Sequence, residues 1–384
     1  MVTTFFFFGS HPTLSYAELK SVCHTLLSDA QYTLYNHKTY ATLETAQSID
    51  ANAFMGRIGG TIKIAEAITA TVNTIDDWLV AHLPTDGKNV FGVSLYSDQS
   101  PKERMSAVRH IGMSLKRSLQ ASERSVRFVQ SQDPTLSAVI VTKEHLIAKG
   151  CDLCIVRDGK QTLFARTVAV QPFEEFSHRD YGRPGRDSKS GMLPPKLARM
   201  MVNLSGATQH SVLLDPFCGS GTVLQEALLM GIERVYGSDV SGKAVDDTMR
   251  NLEWMKLRAQ DVVEQPAETL RQNLALRSAA PFDAIIFEGF LGKPKPYERD
   301  IPEIKRELTQ LYTKVFLELA ASLAHDGTIV AALPFWLLPE FDERLPVENI
   351  LKRAELTLTQ KPLYYFRPNA RVGREIIVAK KINA

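Results

Sequence analysis

From residue 210 onward the chain alternates short apolar runs with longer amphipathic ones. HSVLLD, RVYGSDV, FDAIIFE and GTIVAALPF are apolar almost throughout. Between them, GTVLQEALLMG, AVDDTMRNLEWMKLR and IPEIKRELTQLYTKVFLELAASLA repeat their apolar residues at helical spacing. Strands that are apolar on both faces and alternate with helices predict a doubly wound parallel sheet covered on both sides. The last two apolar runs, LYYFRP and GREIIVAKK, are joined by too few residues for a crossover, which predicts an antiparallel hairpin.

Residues 1–172 carry a different pattern, of two small α+β units. TTFFFFGS predicts a strand, and TLSYAELKSVCHTLL an amphipathic helix with Leu14, Leu19, Val22 and Leu26 on one side. The alternating stretches TLYNHKTYATLE and GGTIKIAEAI follow. A second unit opens with the strand KNVFGVSLYS and the basic helix PKERMSAVRHIGMSLKRSLQ, with Pro101 in its first turn. SVRFVQS, LSAVIVTKEHL, DLCIVRDG and QTLFARTVAVQ predict further strands. Residues 173–192, FEEFSHRDYGRPGRDSKSGM, are polar and rich in Gly and Ser, and they predict a linker or an exposed functional loop. A short helix, PPKLARMMVNLSG, leads from it into the regular half.

Composition narrows the picture only a little. With 384 residues, 44% hydrophobic and 23% charged, the chain has the balance of a soluble globular protein with room for two or three domains. A net charge of +2 neither demands a nucleic-acid partner nor excludes one. MVTTFFFFGS lacks a basic leading segment and predicts a buried strand rather than a signal peptide, and no apolar run is long enough to span a bilayer. The four cysteines, Cys23, Cys151, Cys154 and Cys218, are too few for a disulfide framework. They fit a reducing compartment, so a cytoplasmic protein is expected. Cys151 and Cys154 have no second pair, and the histidines form no ligand-spaced cluster, so no metal is expected.

The most informative stretch is VLLDPFCGSGTVLQEAL. A strand ends at Asp215, a loop carries Gly219 and Gly221, and a helix begins near Thr222. Such loops lie where open α/β sheets bind ligands, and glycine lets a ligand approach the backbone closely. The loop could serve a nucleotide or simply close a tight turn, but it is neither a P-loop nor the G-x-G-x-x-G of the dinucleotide fold. Asp239 ends the next strand, in GSDVSGKAV, where it can accept two hydrogen bonds from a ribose diol. The other reading of Asp239 is a helix N-cap, a role that Ser241 fits more naturally.

DPFCGSGT followed by an acidic residue after the second strand resembles the class I S-adenosylmethionine-dependent methyltransferases. With RDYGRPGRDSKSGMLPPKLARMMVNL before it and YYFRPNARVGREIIV near the C-terminus, the chain resembles the THUMP-domain tRNA (guanosine-10-N2)-methyltransferases. This resemblance implies a Rossmann-like methyltransferase domain at 193–384, with a mostly parallel seven-stranded sheet and a C-terminal antiparallel hairpin. It places a ferredoxin-like domain at 1–85, a THUMP domain at 86–172 and a linker at 173–192. It further implies S-adenosylmethionine as cofactor, touched by Asp215, Phe217, Gly219 and Gly221, with Asp239 on the ribose. Its partner would be tRNA, its acceptor N2 of a guanosine at position 10, and its state a monomer. The acid that the family sets against the adenine amine has no clear counterpart in VVEQPAETL. Pro266 stands near its place, with Gln265 and Glu268 as candidates.

The family's D-P-P-Y sequence offers a carboxylate and a carbonyl to the amine and an aromatic ring to the base. Here FDAIIF runs into E-G-F-L. Glu288 can supply the carboxylate with one more methylene, and Gly289 the carbonyl. Phe290 stands one position early, Leu291 stands where the aromatic is expected, and Pro294 and Pro296 follow soon after. The opposing reading makes Glu288 a turn cap and Phe290 a core residue, in a catalytically silent RNA-binding protein. An amino-methyltransferase acting on another RNA or on DNA is a further alternative. For RNA contact the sequence offers Arg179, Arg183, Arg186 and Lys189, with Arg367 and Arg371 near the C-terminal strands. On the basic helix it offers Arg104, Arg109, Lys116 and Arg117, which fit a solvated face as well as a phosphate-binding surface.

Overall fold

A computed structural model of the chain describes all residues except 29, 85, 86, 88, 160, 187–191, 294, 339–341, 383 and 384. They fall into two compact units. The first comprises Met1–Pro12, Asp29–Gly56 and Thr61–Glu174, and the second Thr13–Ser28, Arg57–Gly60 and Glu175–Ala384. Among the described residues no helix is long and apolar enough to cross a membrane, and no group of three or more His, Cys, Asp or Glu could hold a metal ion.

Strands β1 (Val2–Phe8), β2 (Tyr32–Asn36), β3 (Tyr40–Thr45), β4 (Thr61–Ala67), β5 (Asn89–Tyr96), β6 (Val126–Val129), β7 (Gly150–Asp158) and β8 (Gln161–Val170) belong to the first unit. Helix α1 (Pro12–Leu26) groups with the second unit, while α2 (Ala51–Arg57), α3 (Ile75–His82), α4 (Pro101–Ala121) and α5 (Ala138–Lys143) accompany the first sheet. That sheet is continuous, of order β2-β3-β1-β4-β8-β7-β5-β6. Antiparallel pairing of β4 with β8, Lys63 opposite Val170, carries it across residue 85, where the sequence places a domain boundary. LSAVIVTKEHL is not a strand. Ser137 caps α5 by accepting a hydrogen bond from the Ile140 N–H at 3.3 Å, and this local cap overrides the β-branched run.

A buried charge network pins this sheet. The Lys63 ammonium, 1% exposed, donates to Asp152 at 2.5 Å and to Ser94 Oγ at 3.0 Å. Ser94 and Thr167 donate to the same carboxylate at 2.8 and 2.6 Å. Burial acts to lower the Lys63 pKa, but Asp152 beside it holds the value above the usual lysine range.

The second unit carries β9 (Val212–Asp215), β10 (Arg234–Asp239), β11 (Asp261–Glu264), β12 (Phe282–Glu288), β13 (Leu323–Leu337), β14 (Asp342–Arg344), β15 (Leu356–Leu358), β16 (Leu363–Tyr365) and β17 (Val372–Lys381). Its helices are α6 (Phe173–Tyr181), α7 (Pro195–Leu204), α8 (Thr222–Leu229), α9 (Gly242–Trp254), α10 (Leu274–Ala279), α11 (Ile301–Ser322) and α12 (Val347–Arg353). Seven strands run β11-β10-β9-β12-β13-β17-β15, while short β14 and β16 pair with β13 and β17. Pairing is parallel as far as β13, and β17 then runs antiparallel to it. The predicted C-terminal hairpin is β16 with β17.

Side-chain alternation along β12 divides the core between the two faces. Ile285 and Phe287 pack with Tyr312, Phe316 and Leu319 of α11, whereas Ala284 and Ile286 pack with Leu197 and Met201 of α7 and Leu224 of α8. The stretch predicted as a linker begins instead as helix α6. Phe176 is buried there, with the guanidinium groups of Arg179 and Arg199 over its ring at 4.5 and 5.1 Å. Those packing partners are what turn a polar segment into ordered structure.

Replacing Asp152 with Leu leaves the Lys63 charge buried and unpaired. Urea unfolding of the full chain, with amide exchange of β4 and β7 as local readout, is expected to register a loss of about 3–5 kcal/mol. A loss below about 1 kcal/mol, the scale of an exposed pair, would contradict the role given to this network.

Candidate active site

Register places the site. Tyr236 of β10 pairs with Leu214 of β9, which pairs in turn with Ile285 of β12, so Asp215, Asp239 and Glu288 close three adjacent parallel strands at the same edge. This carboxyl edge is where doubly wound sheets bind ligands. A cavity of about 760 Å³ opens there, within the range of cofactor sites. Asp215, Phe217, Gly219, Asp239, Glu288, Gly289 and Phe290 all line it.

The loop after β9 turns on its glycines. Gly219 and Gly221 hold φ of 53° and 81°, the left-handed region that glycine enters freely. A Cβ on Gly221 would lie 2.9 Å from Thr248 Cγ2. Gly221 does not line the cavity. Its N–H donates to the Cys218 carbonyl at 2.7 Å as the chain turns into α8. Asp239 ties this loop to the next one by accepting from the Gly219 N–H at 2.9 Å and the Ser241 N–H at 3.0 Å. The N-cap of α9 is Ser241, which accepts from the Ala244 N–H at 3.4 Å. Thr248 and Asn251 on α9 donate to the carbonyls of Gly219 and Ser220, each at 2.8 Å. On the cavity wall beyond β11, Glu268 is present and Gln265 is not, because the Gln265 amide is held by Thr269 at 2.8 and 2.9 Å.

Glu288 is neither exposed nor a turn cap. Arg374 on β17 donates through Nε to Glu288 Oε1, forming an ion pair in which both side chains are largely buried. Burial raises the pKa of Glu288, and the charge and hydrogen bond of Arg374 hold it back. Asp215 has no such cation. Burial, then the neighbouring charges of Asp239 and Glu288, push its carboxyl well above the usual range against one hydrogen bond from the Phe217 N–H. Gly289 continues the ladder through its N–H to the Ala332 carbonyl at 3.0 Å. Tyr312 lies against it and donates its hydroxyl to the Phe290 carbonyl at 2.7 Å. Phe290 is 59% exposed and lines the cavity, so it is not a core residue.

The basic residues chosen from sequence divide. Arg179 and Arg183, 4% and 2% exposed, are buried, which corrects the expectation that they meet RNA. Arg179 and Arg199 both donate to buried Glu226, at 2.6 and 2.7 Å. Arg183 donates to Thr222 at 2.6 Å and Ser220 at 3.3 Å, anchoring the glycine loop from behind. Arg186 is exposed beside the Tyr181 ring, Arg117 is exposed on α4 of the first unit, and Lys189 lies outside the described residues. Arg374 and Tyr312 are the site residues that sequence reasoning missed. A signal for Arg374 lay in the sequence GREIIV, where the arginine precedes Glu375 and an apolar run within a strand.

Residues 183–336 match the family model for the RMKL-like methyltransferase domain. A tRNA (guanine(10)-N2)-dimethyltransferase of Methanothermobacter thermautotrophicus is 33% identical over 202 residues, 52% of this chain and 56% of that protein. A protein of the same name from Pyrococcus abyssi is 34% identical over 157 residues, 40% of this chain and 46% of that one. The chain therefore spans about half the length of the curated relatives it matches. Among solved structures, TrmN from Thermus thermophilus superposes over 100% of both chains with a TM-score of 0.58 at 15% identity. Another, in complex with SAH, gives 0.54 at 11% identity over 100% of this chain and 99% of that one. At such identities these structures establish the fold alone. The fold is mixed α/β, and the second unit has a Rossmann-like methyltransferase fold.

A Cβ on Gly289 would fall 2.3 Å from the Tyr312 hydroxyl. Gly289→Ala is therefore expected to cost about 1–3 kcal/mol in thermal unfolding, as overpacking does. Combined with Tyr312→Phe, it should cost less than the sum of the single changes. A neutral Gly289→Ala would contradict this packing.

Proposed function

We propose, from the methyltransferase fold of the second unit as premise, that this protein transfers a methyl group from S-adenosylmethionine to N2 of a guanosine in tRNA, at position 10. One observation carries the reading. A glycine loop with its acid and an acceptor loop offering a carboxylate and an exposed aromatic meet on a single cavity. The relatives named tRNA (guanine(10)-N2)-dimethyltransferases support the choice of RNA, base and position.

The residues present fit the cofactor. Positive-φ glycines keep side chains off the backbone that faces it. Asp239 retains acceptor capacity for a ribose diol, and Glu268 offers an acceptor for the adenine amine. On the cavity wall the acids Asp239, Asp247, Glu268 and Glu288 outnumber the lysines Lys243 and Lys293, an excess that complements a cation. S-adenosylmethionine, when bound there, supplies an electrophilic methyl group on positively charged sulfur.

The exocyclic amine of guanine is a weak nucleophile, because its lone pair is delocalised into the ring. Glu288 accepts one of its hydrogens and the Gly289 carbonyl the other, which aims the nitrogen and stabilises the charge it develops. The proton that nitrogen gives up as its bond to carbon forms is taken at Glu288. Phe290, exposed on the rim, stacks on the base, which must leave its own stack at a cost of a few kcal/mol. Arg374 is a positioning residue that favours the ionised form of Glu288 and fixes one of its oxygens. That same ion pair is what favours the second reading, a silent RNA-binding protein, since it occupies Glu288 Oε1.

Methyl-labelled S-adenosylmethionine and unmodified tRNA transcript separate the two. The wild type is expected to label the RNA, and Glu288→Gln to lose about 10²–10⁴ in rate. The charged groups facing Glu288 are Arg374 from β17 and Asp215 from β9, with the neutral Tyr312 hydroxyl from α11. The working form of Glu288 is the carboxylate, present above its pKa. Arg374→Gln leaves burial unopposed and is expected to move the acidic limb of the pH–rate profile to higher pH, with partial rescue by Arg374→Lys. Cofactor binding without any label transfer would overturn the enzyme reading, and an unmoved limb would overturn the role of Arg374.

A further inference from the structure

The geometry points to a second subsite, for an RNA phosphodiester flanking the acceptor nucleotide, between the segment after the acceptor loop and the start of β17. This rests on the RNA-methylating reading above. A cavity of about 490 Å³ lies there, lined by Lys295, Tyr297, Asn369, Ala370, Arg371 and Val372. Among the described residues none lines both this cavity and the larger one. The two are nonetheless tied through the same pair of segments. Lys295 and Tyr297 continue the loop that begins at Glu288, and Arg371 stands three residues before Arg374, the partner of Glu288.

The walls are built rather than loose. Arg371 donates through Nη1 to the Pro296 carbonyl at 3.3 Å, and its own carbonyl accepts from the Leu337 N–H at 3.0 Å. Asn369 holds φ of 63°, and the Ala370 N–H closes back on the Arg367 carbonyl at 3.1 Å. Arg371 and Lys295 both line the cavity, and both are exposed. Among the described residues no carboxylate lines the cavity. Asp300 nearby lies 3.7 Å from Arg299, whose guanidinium covers the Tyr297 ring at 5.3 Å.

Two cations beside a 65% exposed tyrosine match a nucleic-acid strand. Arginine and lysine take the phosphate oxygens, and the ring offers a face to the adjoining base. A nucleotide turned into the larger cavity brings its flanking phosphates to the rim, where this pair would hold the strand in register.

Filter binding of unmodified tRNA across a salt series tests this with Lys295→Gln and Arg371→Gln. Each change is expected to weaken binding severalfold and to reduce the slope of log K against log salt by about 0.7–0.9, one phosphate contact. The affinity for S-adenosylmethionine should not move. Inorganic phosphate should compete only as its ionic strength predicts; specific competition by phosphate alone would make this a free-anion site and overturn the RNA assignment. Unchanged slopes, or a loss confined to Arg371→Gln (which also breaks the bond to Pro296), would overturn the subsite. Because binding is read without catalysis, the two readings fail separately. A wild type whose tRNA binding depends on Lys295 and Arg371 but which transfers no methyl group would remove the proposed function and leave the subsite standing.

Discussion

In-register parallel pairing of β10, β9 and β12 sets three carboxylates on one rim, and the local electrostatics follow from that placement. Asp215, Asp239 and Glu288 cannot share a partly buried space at no cost, since each charge disfavours the others. The structure relieves the strain unevenly. Asp239 accepts two backbone N–H groups, Glu288 takes Arg374, and Asp215 is left with one backbone N–H and a raised pKa. With Asp247 and Glu268 also on the wall, acids still outnumber Lys243 and Lys293 there, which is the electrostatic reason the cofactor reading and the fold agree.

Support for this rim comes from behind it. The glycine loop is held by Thr248 and Asn251 from α9 and by Arg183 from the segment between α6 and α7. Arg179 and Arg199 converge on buried Glu226 of α8, the helix that the loop opens. Buried ions of this kind contribute little net stability, but removing one partner leaves a costly unpaired charge. Their effect is to fix where the loop sits.

Much of this was legible in the sequence. Apolar runs of strand length between amphipathic helices gave the parallel sheet, because burial on both faces demands them. Asp215, Asp239 and Glu288 could be read as strand-end acids for the same reason. Long-range pairing was not legible. Nothing local says that Arg374 reaches a carboxylate 86 positions away, or that Tyr312 closes over Gly289. Arg179 and Arg183 misled in the opposite way: charge in a polar, glycine-rich stretch looks solvated until its partners Glu226 and Thr222 are known. Residues 138–143 misled through composition, since a β-branched run outweighed a single serine cap. The E-G-F-L loop sets its carboxylate and its phenylalanine both on the cavity.

The central claim is that Glu288 and the cavity it lines direct a methyl group to the exocyclic amine of guanine. Nucleoside mass spectrometry of a tRNA transcript incubated with the full chain and S-adenosylmethionine tests this most directly. The account predicts a guanosine methylated at N2, located at position 10 by fragment mapping. Methylation of adenosine or of a ring nitrogen, or a transcript left unmodified by protein that binds both ligands, would contradict it.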